Sequence, residues 1–212
     1  MSTRDAHAML RESLSFATAL VATLEARDLH TVAHCVAVAV YARDIAAAIG
    51  LNEDGQGMAY LCGLVHDCGK MGLPPGLLEK RGALTAEERG EMQEHSVIGE
   101  RILANVEDYA EVAKVVRHHH ERWDGGGYPD GLAGEAIPLL ARIVAVAEAY
   151  ETMVRPQPYR EALSFEKACS ELKENADSQF DLKVVAPFVE VTLAREDEAY
   201  RSATRDEFHL LP

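Results

Sequence analysis

His66-Asp67-Cys68-Gly69-Lys70 follows the apolar run Leu61–Val65 and sets a histidine directly beside an aspartate. Imidazole and carboxylate are the usual ligands of Zn, Fe and Mn, and a carboxylate has two oxygens with which to bridge two ions. Periodicity predicts a helix over 56–70, on which adjacent residues project about 100° apart. Both side chains then reach one site only if that site lies between their directions. Seven of the nine histidines fall between residues 30 and 120, so the pair has company.

Outward from that run, nearly every segment carries a helical period and no stretch alternates as a strand. Helices are predicted over 5–26, 31–49, 56–70, 86–104, 108–120, 138–154, 165–175 and 181–194. The fold class is all-α, a single-domain bundle of about seven to eight helices. Thr85-Ala86-Glu87-Glu88 reads as a capping box, Gly50 as a helix C-terminus and Pro138 as a first turn. Ser164 and Asp181 read as N-caps. Two loops, Met71–Gly82 and Glu121–Ala136, are long for a compact domain and rich in Gly and Pro, which favours function over accident.

With 21 Lys and Arg against 35 Asp and Glu, the formal charge of −14 disfavours non-specific binding to nucleic acid polymers or anionic lipid. It leaves room for a small phosphorylated ligand, because bound cations reverse the sign locally. No apolar stretch is long enough to insert in a bilayer and the first residues are polar rather than signal-like. The four cysteines lack a secreted-framework spacing. Reduced core cysteines in a cytoplasmic protein are expected.

His30 and His34 share one face of a helix, as do Glu148 and Glu151. His95 lies on the capped helix, and His118-His119-His120 ends another. Singly, each has an ordinary reading: His34 a hydrogen-bonded core histidine, the triple histidine a cluster favoured by the helix dipole, the glutamates a solvated face. Glu148 and Glu151 interrupt the apolar run Ile143–Ala149 and its continuation, however, which argues for burial with a partner. Donors converging from five helices point together to a metal centre in a bundle core.

Joined to His119-His120-Glu121-Arg122-Trp123-Asp124-Gly125-Gly126-Gly127-Tyr128-Pro129, the His66-Asp67 pair makes the chain closely resemble the HD-GYP family of the HD superfamily. Gly72-Leu73-Pro74, Leu84-Thr85, Ile137-Pro138-Leu139 and Gln179-Phe180-Asp181 extend the likeness over nearly the whole chain. The resemblance implies an N-terminal helix over 1–22, a metal-dependent phosphohydrolase domain over 23–194 and a charged tail over 195–212. It implies one ion on His34, His66, Asp67 and Glu148, and a second on His95, His119 and His120, with Asp67 bridging. In some members of the family a third ion is held as well, which here would use His30, His34 and Glu151. Fe or Mn is favoured, with Zn and Ni as alternatives.

The activity implied is hydrolysis of cyclic di-GMP to the linear dinucleotide pGpG and onward to GMP, in bacterial second-messenger signalling. Asp67 and Lys70 would be catalytic, and Lys70, Arg160, Tyr128 and Gln157 would contact substrate. The chain departs from the family pattern in carrying Glu at 148 and 151, His at 30, and Gln157 where the family has Arg. Those changes keep a second reading open: a catalytically weak metal-bound module for a cyclic dinucleotide or a diguanylate cyclase domain docked on the Gly125–Pro129 loop. A third reading keeps the chemistry but takes another cyclic dinucleotide, such as cyclic GMP-AMP. For the three loop glycines a rigid support for His119 and His120 is favoured over substrate contact.

Overall fold

In a computed structural model the described residues are 15–24, 31–80, 82–156 and 161–194. His30, Gln157, Arg160, the start of the predicted first helix and the charged tail lie outside them. The described residues form helices and turns, with one isolated bridge between Ala176 and Phe180 and no strand. The helices are α1 (15–24), α2 (Thr31–Ala48), α3 (Glu53–Val65), α4 (Pro75–Leu78), α5 (Ala86–Leu103), α6 (Ala110–His118), α7 (Leu139–Val154), α8 (Phe165–Glu174) and α9 (Leu182–Ala194).

Helix α2 is apolar on all sides, and Cys35, Val38, Ala39, Ala42, Ile45 and Ala46 are fully buried along it. Such a helix belongs at the centre of a bundle. It packs on α3, α7 and α9. A Cβ on Gly63 of α3 would lie 2.8 Å from the Ala39 Cα, so this glycine lets the α2 and α3 backbones meet. Tyr41, Tyr150 and Phe188 lock α2, α7 and α9 together edge to face, with ring centroids 5.0 to 6.4 Å apart. Each such buried ring contributes about 1.5–3 kcal/mol.

Helix ends follow local chemistry. Gly50, at φ +87°, ends α2 in a left-handed cap: its N–H reaches the Ala47 carbonyl and the Leu51 N–H reaches that of Ala46. Thr85 and Glu88 form the reciprocal capping box that starts α5, and Ser164 caps α8. The Asp181 carboxylate accepts the Lys183 N–H at 2.8 Å as α9 begins. Pro138 is the residue before α7, not part of its first turn. All four cysteines are reduced and buried. Among the described residues no helix is long and apolar enough to cross a membrane.

Most helix ends shift from the sequence expectation by two residues or fewer, and α3 departs furthest, at both ends. Helix α3 starts earlier than residue 56, because the Asn52 side chain caps the Gly55 N–H at 3.0 Å and Glu53 and Asp54 favour the positive end of the helix dipole. It also stops at Val65 rather than 70. Asp67 leaves the helix at φ −92°, ψ 4°, and Cys68–Gly72 tightens into a 3₁₀ turn. A Cβ on Gly69 would run into the His95 carbonyl oxygen and stand 2.5 Å from the Gly99 nitrogen. The turn therefore seats directly on the α5 backbone. The Met71–Gly82 loop contains α4, which Pro75 starts and the buried Leu77 anchors.

Candidate metal centre

Five elements deliver the donors. His34 comes from the first turns of α2, His66 and Asp67 from the end of α3, and His95 from the middle of α5. His119 and His120 follow α6, and Glu148 comes from α7. Nitrogen and oxygen atoms of His34, His66 and Glu148 lie within 4.8 Å of one another, and so do those of His95, His119 and His120. Asp67 stands between the two triads: Oδ2 is 3.4 Å from His66 Nε2 and 3.8 Å from His34 Nε2, while Oδ1 is 3.7 Å from His95 Nε2.

The ring orientations are fixed from behind. Nδ1 of His66 donates to the Gly63 carbonyl at 2.7 Å, that of His95 to Met92 at 2.8 Å and that of His119 to Val116 at 2.6 Å. Each bond runs three residues back along the chain. With the Nδ1 proton so committed, each Nε2 carries a lone pair facing inward. His34 uses a carboxylate instead, its Nδ1 lying 2.5 Å from Glu151 Oε2. The other Glu151 oxygen pairs with Arg155 Nε at 3.0 Å. Glu151 is buried and faces the back of His34, away from the inward lone pair.

The electrostatics keep His66, His119 and His120 as acceptors. Burial pushes His66 below its ordinary pKa, and burial with neighbouring histidines pushes His119 well below. Burial, aided by His95, takes His120 down to about 3. Burial also acts to lower His34, but the hydrogen bond and charge of Glu151 outweigh it and leave the value raised. For Asp67, burial acts upward and is outweighed by Lys70, His66 and His95, so the carboxylate stays ionised. Lys70 lies one 3₁₀ turn on and donates to Asp67 Oδ2 at 2.6 Å. It is turned back onto the aspartate, with a quarter of the side chain exposed.

This donor set fits a divalent cation. His66 Nε2 and Asp67 Oδ1 are buried without a hydrogen-bond partner among the described residues. His95 and His119 point their Nε2 atoms at each other across 3.3 Å. Two nitrogens each about 2.0–2.1 Å from a tetrahedral ion are held at about that spacing.

A third acidic grouping, His118, Glu121 and Asp130, has its oxygens taken. Arg117 holds both Asp130 oxygens at 2.7 and 2.8 Å, and His118 Nε2 meets Asp130 at 2.9 Å. Glu121 accepts the Asp130 and Leu132 backbone N–H groups. These contacts fold the Glu121–Ala136 loop. A Cβ on Gly127 would lie 2.5 Å from the His120 carbonyl oxygen, so this glycine is needed for close approach. Tyr128 stacks on His120 with ring centroids 4.8 Å apart. The Trp123 main-chain N–H donates to the Gln179 carbonyl, and its ring lies under the Arg142 guanidinium.

Sequence reasoning passed over Glu121 and Arg142. Arg142 donates to the Ile137 carbonyl and to the buried Asp181 at 2.6 Å, tying the loop, α7 and α9 together. Its signal was a lone cation in the apolar stretch Leu139–Ala147.

A family model described as the HD domain matches residues 8–184. The chain belongs to the HD domain family. As an HD domain protein it is 38% identical over 177 residues to the cyclic di-GMP phosphodiesterase response regulator RpfG of Xanthomonas campestris, covering 82% of this chain and 46% of that protein. It is 35% identical over 181 residues to 3′3′-cGAMP-specific phosphodiesterase 1 of Vibrio cholerae, covering 82% of this chain and 42% of that one. This HD domain chain thus spans about half the length of the curated relatives it matches. Its fold is that of the cyclic GMP-AMP specific phosphodiesterase V-cGAP3 of V. cholerae, with a TM-score of 0.64 at 20% identity over 94% of this chain and 51% of that one. The HD-GYP resemblance read from the motifs agrees with these HD domain matches.

Proposed function

We propose that the chain is a metal-dependent phosphodiesterase that opens cyclic di-GMP to linear pGpG, and onward to GMP. The carrying observation is the pair of donor triads on either side of Asp67. The names of the relatives, phosphodiesterases of cyclic di-GMP and of 3′3′-cGAMP, support the substrate class. In this reading His34, His66 and Glu148 hold one ion, His95, His119 and His120 a second, and Asp67 reaches both. Divalent ions in such a site supply a low-pKa water near neutral pH and neutralise charge on the phosphoryl group. His-plus-carboxylate donors suit Fe and Mn, and also Zn and Ni.

The chain's own side chains do the positioning. Lys70 steadies Asp67 and presents its exposed side to a phosphate oxygen. Glu151 orients His34, a role we favour over ligation of a third ion. Tyr128 packs the outer face of His120. Net reaction adds one water across a single P–O3′ bond, leaving a 5′-phosphate and a 3′-hydroxyl. The test is turnover of cyclic di-GMP by protein purified without oxygen and loaded with Fe or Mn, followed by chromatography of the products. Hydrolysis that disappears in Asp67→Asn is expected. Tight binding with no turnover in any metal would instead make the chain a sensing module.

A further inference from the structure

Beside the donor cluster a cavity of about 330 Å³ opens between α7 and α8, with His120 and Glu148 at its inner end. That volume suits one nucleoside rather than a whole dinucleotide. Ala145 and Ala149, four apart on one face of α7, are among its apolar lining, with Met153 and Phe180. Two methyl groups leave a surface flat enough for a planar ring.

The outer rim is polar and rich in acceptors. Glu171 of α8 lines it, and its carboxylate has no hydrogen bond or ion pair among the described residues. Asn175, one turn on, spends one amide N–H on the Glu171 main-chain carbonyl at 2.9 Å and keeps its side-chain oxygen and second N–H for a ligand. Gln179 completes the rim. Its backbone is pinned on both sides, to the Asn175 carbonyl at 2.9 Å and from the Trp123 main-chain N–H at 3.0 Å, while its side-chain amide has no partner among the described residues. Arg122 also lines the cavity but spends its guanidinium on Asp124 at 3.1 and 2.7 Å, so the unpaired charge of the outer rim is that of Glu171. The uncharged part of a nucleotide belongs here and the phosphate belongs beside Lys70 and the histidines.

Among purines the rim discriminates. Guanine presents two adjacent donors, N1–H and N2–H, which match a carboxylate in the bidentate manner. Adenine presents a bare N1 acceptor there, which a carboxylate opposes. We propose that this cavity is a single guanine slot in which Glu171 is the specificity-determining residue. The proposal rests on the phosphodiesterase reading and adds a base-recognition residue to it: a cyclic dinucleotide is held by one guanine, against Glu171. One slot also fixes orientation. In 3′3′-cGAMP, whose two phosphodiester bonds are inequivalent, one bond is brought to the histidines and a single linear isomer results.

The experiment compares kcat/KM of the metal-loaded chain on cyclic di-GMP, 3′3′-cGAMP and cyclic di-AMP, for the wild type, Glu171→Ala and Glu171→Gln. Expected are cleavage of both guanine-containing substrates, one isomer from 3′3′-cGAMP, and cyclic di-AMP slower by tenfold or more. Loss of one charge-assisted pair should cost both variants about ten- to a hundredfold on cyclic di-GMP, while cyclic di-AMP, freed of an opposing carboxylate, is cut no more slowly and gains with Glu171→Gln. Variants with the wild-type order of preference, or an equal mixture of isomers, would overturn the slot and leave the phosphodiesterase reading standing. A wild type that cuts none of the three overturns that reading instead. The slot is then decided by calorimetric binding of GMP against AMP: a preference that depends on Glu171 supports it, and equal affinities sink it.

Discussion

His95 Nε2 and His119 Nε2 face each other at 3.3 Å while both Nδ1 atoms are committed to main-chain carbonyls. Two inward lone pairs at that distance oppose each other until a cation lies between them. Chelation should therefore lower the melting temperature, and added metal should restore it. At a hundredfold excess over Kd the stabilisation is about 2.7 kcal/mol. Thermal scans with and without chelator check this. A His119→Ala variant should lose the share of the difference that belongs to its own ion, and a wild type indifferent to chelator would count against the centre.

Asp67 sits between the triads and His95 belongs to one of them. Replacing Asp67 by Ala should empty both positions, whereas His95→Ala should leave one filled. Metal analysis per chain, on protein shown to be folded by circular dichroism, separates the two outcomes. Equal losses from both variants would break the assignment of Asp67 as the shared ligand.

Glu151 acts on His34 from behind. A carboxylate that fixes a ligand's tautomer is typically worth about 10–100-fold in metal affinity. Glu151→Gln, which keeps the shape, should weaken one of two binding steps within that range and leave the helical signal intact. Metal titration with a competing chelator resolves the steps. An unchanged isotherm would remove Glu151 from the site.

The Arg117 hydrogen bonds hold Asp130 well below the ordinary carboxylate range. A depressed carboxylate contributes stability that is complete above its unfolded pKa of about 4 and is lost as pH falls through the folded value. The wild type should lose stability to acid below about pH 4, and Asp130→Asn should lose part of that slope while being less stable near neutrality. Denaturant midpoints taken from pH 7 down to pH 3 test the sign.

Much of this was legible in the sequence because the strongest signals are local. Histidine spacing, the capping box at Thr85 and the apolar run of α2 each depend on neighbours within a turn or two. The geometry at Asp67 was not legible in that way. Period alone carries α3 through residue 70, and only the contact of Gly69 with α5 explains why the chain tightens after His66. For Glu151 a ligand role came only through the family resemblance, and its contact with His34 joins residues remote in sequence, which no local spacing displays. Glu121 and Arg142 act on loops and helix starts far along the chain, which no spacing rule reaches. The acceptor rim of Glu171, Asn175 and Gln179 exists only once α8 is laid beside α7.

The seat of Gly69 on α5 bears on how relatives of this chain are recognised. A protein may keep both letters of the His-Asp pair and still be unable to assemble the centre if any side chain follows two places later. The α5 backbone would then be held away, carrying His95 with it. The pair is better regarded as a hinge pin whose socket lies some thirty residues downstream, and moving it into another scaffold would require moving the socket as well.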